Sequence, residues 1–163
     1  MFVCAYGKQF MLDWKIKLFD QLSLLELYAI LKLRMQVFML EQDSLYLDID
    51  DLDQKSFHLV GKDQGEVVAY ARVMFDSITR CAKIGRVVVD KNYRGMKIGN
   101  LILSKLLEHI SENKEIQLVT LSSQVVAQDI YKKFGFEPVG EPFDDGGILH
   151  IKMQKDLRGN LLK

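Results

Sequence analysis

The chain is short of several things, and each shortage excludes something. Of its 163 residues only two are cysteine, two are proline and one is tryptophan. Cys4 and Cys81 lie far apart with no other sign of secretion, which excludes a disulfide-built scaffold and suits free thiols in a reducing cytoplasm. Scarce proline beside 48% hydrophobic residues excludes a disordered chain. Net charge is missing too. The 22 lysines and arginines balance 22 aspartates and glutamates, no basic run reaches five residues, and no nucleic-acid partner is expected. No apolar run approaches the ~20 residues of a membrane span, and the first seven residues lack the basic start of a signal peptide, so no membrane partner is expected. His58, His109 and His150 are scattered and no Cys/His cluster exists, so no metal is implied.

What is present suits one α/β domain over residues 1–163, long enough to bury about two-thirds of its unfolded surface. Trp14, Ile16 and Leu18 alternate as a first strand. Ser23 and Glu26 form a capping box for a helix whose apolar stripe runs Leu24, Leu27, Tyr28, Leu31, Met35 and Phe38. Residues 41–56, with Asp43, Asp48, Asp50, Asp51 and Asp53, read as a solvated acidic loop or as a rim that attracts an amine. The EF-hand calcium pattern fails, because counting from Asp48 the sixth residue is Asp53 and the twelfth Leu59, where it needs Gly and Glu. Strands are expected over 57–62, 67–75 and 81–89 as a meander, then a helix through Ile98, Leu101, Ile102, Lys105, Leu106 and Ile110. A strand over 117–121 in parallel pairing and a closing strand over 148–153 follow. The tail from Arg158 is expected to fray.

The most informative stretch is residues 84–103. A β-branched run ending in Val87, Val88 and Val89 is followed by a loop through Arg94, Gly95, Met96, Lys97 and Ile98, and Gly99 opens an apolar-periodic segment. Strand, turn and helix in that order lay backbone N–H groups at a helix N-terminus, which attracts phosphate. The Rossmann and P-loop spacings are both absent, so nucleotide hydrolysis is disfavoured. Downstream, residues 127–136 read as a short helix carrying Tyr131 and closing on Gly135 and Phe136.

These two segments resemble the signatures of the GCN5-related N-acetyltransferases (GNAT): Arg94 and Gly99 match the ends of the pyrophosphate-loop pattern, and the Tyr131 helix matches the second motif. Lys97 stands where glycine is usual, and is expected to keep an ordinary backbone conformation while adding a cation. Residues 33–42, 46–50, 69–72, 84–86 and 147–151 further resemble the ElaA-like branch, over about residues 12–156. The resemblance implies a mixed, mostly antiparallel sheet flanked by helices on both faces. It implies acetyl-CoA as donor and acetyl transfer to an amine acceptor; direct transfer is expected because neither cysteine has a neighbourhood that lowers a thiol pKa, a cytoplasmic location because nothing suggests secretion, and a homodimer is a further expectation. The resemblance also implies that backbone groups of Val87, Val88 and Val89 hold the pantetheine arm, that residues 94–99 hold the pyrophosphate, and that Tyr131 faces the sulfur. The alternative is a non-catalytic CoA-binding sensor or interaction module of the same fold.

A phenol of pKa near ~10 can protonate a departing thiolate of pKa near ~8.5, so Tyr131 is the expected acid. The base is Glu41, His150 or water, and the sequence does not rank them. Arg72 and Arg86 interrupt apolar strands. A buried guanidinium needs a partner, so each is either ion-paired to the loop aspartates or part of a fork for a substrate carboxylate.

Overall fold

The computed structural model describes residues 3–5, 8–43 and 46–158, with side chains from residue 11 on. The readings of the N-terminal segment, of the Cys4 thiol and of the tail past Arg158 fall outside the described residues. A two-stranded antiparallel pair, β1 (Val3–Ala5) and β2 (Lys8–Phe10), comes first. Seven further strands form one sheet in the order β3-β4-β5-β6-β7-β9-β8. They are β3 (Asp13–Leu18), β4 (Phe57–Asp63), β5 (Glu66–Asp76), β6 (Cys81–Val89), β7 (Leu118–Gln124), β8 (Glu137–Asp145) and β9 (Ile148–Asp156). Pairing is mostly antiparallel, and β6 with β7 is the expected parallel pair, with residues 81–83 opposite 118–120. The α-helices among the described residues are α1 (Leu24–Arg34), α2 (Ile98–Glu112) and α3 (Gln128–Lys132). None of them is long and apolar enough to cross a membrane.

The residues divide into two units, Met1–Arg72 with Arg86–Ile102, and Val73–Gly85 with Leu103–Lys163. In the first unit β3 pairs with β4, and Trp14 lies across from Gly61, where any Cβ would fall 2.7 Å from its ring. The Ser23 cap forms as expected: its hydroxyl accepts from the Glu26 N–H, and the Glu26 carboxylate accepts from the Ser23 N–H at 3.0 Å. That carboxylate also binds Lys17 and Lys62, which lower its pKa to about 2.

The buried face of α1 corrects the expected stripe. Leu24 is 85% and Tyr28 70% exposed, and the face turned inward is Ile30, Leu33, Arg34 and Val37. The helix is apolar nearly all round, so periodicity fits two faces equally, and a charged Arg34 argues against the true one. Ile30, Leu33 and Val37 pack with Val60, Tyr70 and Val88 into a core, each full aliphatic burial contributing about 1.5–3 kcal/mol. Beyond Arg34 the helix widens into a π-turn over Met35–Glu41, with Gln42 N–H donating to the Val37 carbonyl at 3.1 Å. Such turns recur at functional sites.

The second unit buries Ala82, Ile84, Leu103, Leu106, Ile110, Val119, Leu121, Phe136 and Met153. Two corrections belong here. The strand after α3, β8, is unforeseen because Pro138, Pro142 and Gly140 break its pattern, and β9 lies inside it rather than closing the sheet. A bulge between Val139 and Phe143, with Gly140 at φ +74, absorbs the irregularity.

Candidate active site

Helix α2 begins at the expected loop. Gly95 has φ +78, and the peptide N–H groups of Asn100 and Leu101 both donate to the Lys97 carbonyl, at 3.0 and 3.2 Å. The N–H groups just before them are the unsatisfied donors of the helix start. Lys97 corrects an expectation: it takes φ +58, the left-handed conformation of the glycine it replaces, at a cost of about 1–2 kcal/mol. The loop thus keeps its glycine-like path while carrying a lysine. Gly99 does not need positive φ, and a Cβ built there meets nothing within 4 Å, so the space beside it is open. Met96 is half-buried and Ile98 fully buried, anchoring the turn.

Arg94 is tied at both ends of its head group. Nε donates to the Val89 carbonyl at 3.0 Å, and Nη2 meets the Glu41 carboxylate at 2.6 Å. The end of the π-turn and the loop are therefore joined by an exposed ion pair, of a kind worth about 0–1 kcal/mol. Val88 is buried, Val87 and Val89 half-buried.

Residues 48–53 correct the solvated reading of the acidic loop in part: Asp48, Asp50 and Asp53 are drawn into ion pairs, while Asp43 and Asp51 are exposed. Arg34, 0% exposed, donates from Nε to Asp48 at 2.8 Å and from Nη1 to both oxygens of Asp53 at 2.9 and 2.8 Å. Arg72, 5% exposed, donates from Nη1 to Asp50 at 2.6 Å and to Asp53 at 2.8 Å, and its Nη2 also binds Asp50. Arg86 reaches Asp48 through Nε at 2.7 Å and Asp50 through Nη2 at 3.1 Å. Three guanidinia and three carboxylates make a neutral cluster. The Arg72 hydrogen bond lowers the Asp50 pKa to about 2, and on Asp53 burial is outweighed by Arg72 and Arg34, which hold it below the usual range. Both arginines expected as a substrate fork are engaged by aspartates, the ion-paired alternative. Behind them, buried His58 donates from Nε2 to the Asp53 carbonyl at 2.9 Å and accepts the Tyr70 hydroxyl proton on Nδ1 at 2.8 Å. Arg34 escaped sequence reading, although an arginine at the Ile30, Leu33, Val37 spacing was the available signal.

In the second unit Tyr131 sits on α3, its ring edge-on to Phe136 at 6.2 Å, and Gly135 closes the helix at φ +80. Burial raises the Tyr131 pKa, so the phenol keeps its proton at neutral pH. His150 lies on β9 opposite Phe143. Its Nδ1 is 2.8 Å from the Ile148 carbonyl, which can only accept, so Nδ1 carries a proton and, in the neutral ring, Nε2 has the lone pair. Of the residues expected at the site, the structure brings Glu41, Arg94 and Val89 together in one unit, while Tyr131 and His150 belong to the other.

Strand β6, the left-handed loop, the start of α2 and the tyrosine helix α3 follow one another in the order that the acyltransferase resemblance implies. Residues 27–157 match the family described as acetyltransferase (GNAT) domain, and the chain belongs to the GNAT acetyltransferases. Within them it falls in the ElaA-like branch. Protein ElaA of Escherichia coli (strain K12) is 39% identical over 150 residues, covering 90% of this chain and 98% of that protein. The crystal structure of Escherichia coli ElaA superposes with TM-score 0.83 at 37% identity, over 89% of this chain and 99% of that one. An acyl-CoA N-acyltransferase from Pseudomonas aeruginosa does so with TM-score 0.83 at 34% identity and the same coverage. The family implies an acyl-CoA donor.

Proposed function

We propose that the chain acts as one acetyltransferase domain that takes an acetyl group from acetyl-CoA and passes it directly to an amine of a small molecule or peptide. The observation that carries this is the loop of residues 94–99: two left-handed residues, Gly95 and Lys97, at the start of a 15-residue helix with open space beside Gly99. A diphosphate fits such a cradle, with N–H donors, the positive helix end, Arg94 and Lys97 around it. When bound, acetyl-CoA supplies an activated thioester. Backbone groups of Val87, Val88 and Val89, beyond the end of the β6–β7 ladder at residue 83, hold the pantetheine arm.

The chain's own proton chemistry follows. Tyr131 holds its proton at neutral pH and gives it to the departing sulfur. We assign the base to His150, whose Nε2 carries the lone pair in the neutral ring, while Glu41 faces Arg94 across an exposed ion pair. A water relaying the proton from the amine to Nε2 serves equally well. Direct transfer is the reading we adopt, and among the described residues no activated nucleophile favours a covalent acyl-enzyme. The half-buried Cys81 is free and lies 3.4 Å from the Thr120 hydroxyl, which suits a reducing cytoplasm.

Thermal melts with acetyl-CoA, ATP and NAD test the donor. At ~100 times its dissociation constant, acetyl-CoA adds about 2.7 kcal/mol, or roughly 5–10 °C for a domain of this size. No shift at millimolar acetyl-CoA removes the proposal. A transfer screen over polyamines, amino acids, aminoglycosides and short peptides then identifies the acceptor, and tight CoA binding without turnover on any amine returns the non-catalytic reading.

A further inference from the structure

We propose that Arg86 is a positioning residue: its ion pairs with Asp48 and Asp50 hold strand β6 in a left-handed kink that sets the backbone of Val87, Val88 and Val89 for the cofactor. This rests on the cofactor reading above and adds the device that makes the strand fit it. Arg86 has φ +53 in the interior of a strand. For an L residue that conformation is disfavoured on the order of tenfold or more, so something must hold it.

The holding contacts are specific. Arg86 Nε lies 2.7 Å from Asp48 Oδ1, Nη2 donates to the Asp48 carbonyl at 3.0 Å and to Asp50 Oδ2 at 3.1 Å, and the guanidinium sits 5.4 Å from the Tyr46 ring centroid. Asp48 and Asp50 are themselves fixed by buried Arg34 and Arg72, so the clamp is rooted in the interior of the unit.

Its consequence follows from strand geometry. Successive residues present their N–H and C=O groups to opposite edges, and a kink of one residue decides which edge each later residue faces. Val87 and Val89 share one edge and Val88 takes the other, and the kink decides which edge that is; the Val88 side chain packs in the core with Ile30, Leu33 and Val37. Releasing Arg86 lets the strand straighten and reassigns those groups.

Isothermal titration of the full chain with CoA tests this on wild type, Arg86→Ala and Arg86→Gly, each checked by a thermal melt. Both variants lose the same ion pairs and should melt lower. Glycine takes positive φ freely, so Arg86→Gly should bind CoA within about threefold of wild type, while Arg86→Ala should bind about tenfold more weakly. A lost contact to the ligand would weaken both alike, and a purely structural role would leave both isotherms unchanged; either result overturns the proposal. If Arg86→Ala does not fold, Asp50→Asn replaces it, and adding Arg86→Gly to that chain should restore affinity; failure to restore it overturns the proposal too. Wild-type chain that ignores CoA overturns the cofactor reading and this one together, whereas a normal wild-type isotherm with Ala and wild type alike overturns this one alone.

Discussion

Replacing Asp53 by asparagine keeps the shape of the side chain and removes the charge that two buried guanidinia share. Arg34 Nη1 donates to both Asp53 oxygens and Arg72 Nη1 to one of them. With asparagine one of those oxygens becomes an NH₂ group facing a guanidinium, and the cluster is left with an excess positive charge where Arg34 has no access to water. Breaking a buried pair by removing one partner costs about 3–5 kcal/mol, and at about 2–4 °C per kcal/mol the melting temperature should fall by roughly 10–15 °C. Circular dichroism melts at pH 7 measure it, with urea unfolding as a second axis. The pH dependence adds a signature. Asp53 is held below the usual range in the folded chain, so its contribution is complete above the unfolded value near ~3.9 and disappears as pH falls through the lower folded value. The gap between wild type and Asp53→Asn should stay flat from pH 8 to 5 and close only below about 4. An Asn variant that melts within about 2 °C of wild type, or a gap that closes near pH 6, refutes the cluster as a stabilising unit.

Tyr131→Phe should leave CoA affinity nearly unchanged and lower kcat toward the small end of the ~10² to 10⁴-fold range of general acids, since a thiolate leaves fairly readily; kcat within twofold of wild type, on a substrate whose chemistry limits the rate, returns Tyr131 to the core. Gly99→Val should melt near wild type, because its Cβ meets nothing within 4 Å, yet lose acetyl-CoA binding by titration; normal binding would misplace the cofactor loop. His58 is held below its ordinary pKa by burial, so its contribution is complete above ~6.5 and erodes as pH falls through the depressed value. Melts at pH 7.5 and 5.5 should show wild type losing more stability than His58→Asn.

Much of the fold was legible because its signals are local. The Ser23 cap, the β6 boundaries, the helix opened by Gly99 and the Gly135 stop all rest on residues within a few positions of one another. The buried ion cluster was legible only in part: pairing of Arg72 and Arg86 with the loop aspartates was one of two open readings, and Arg34 was not foreseen. Its paired members are separated by 14 to 38 residues, and a loop rich in aspartate looks the same whether water or arginine faces it. Lys97 misled for a different reason. Propensity disfavours lysine at positive φ, but the loop's tertiary setting overrides it. Strand β8 was hidden by two prolines that read as punctuation and in fact sit where a strand has only one hydrogen-bonded neighbour.

Those prolines have a consequence for how the protein behaves at high concentration. Strand β8 ends the sheet at one side, with Pro138 and Pro142 unable to donate, a three-residue irregularity at residues 140–142, and exposed Glu137, Glu141, Asp144 and Asp145 along it. At the other end β3 carries Lys15 and Lys17. A stray extended chain seeking main-chain partners meets missing donors and a broken register on one margin and lysine charge on the other, which discourages runaway strand addition. Substituting valine at both prolines would remove that guard, and turbidity on storage is where the loss would first be seen.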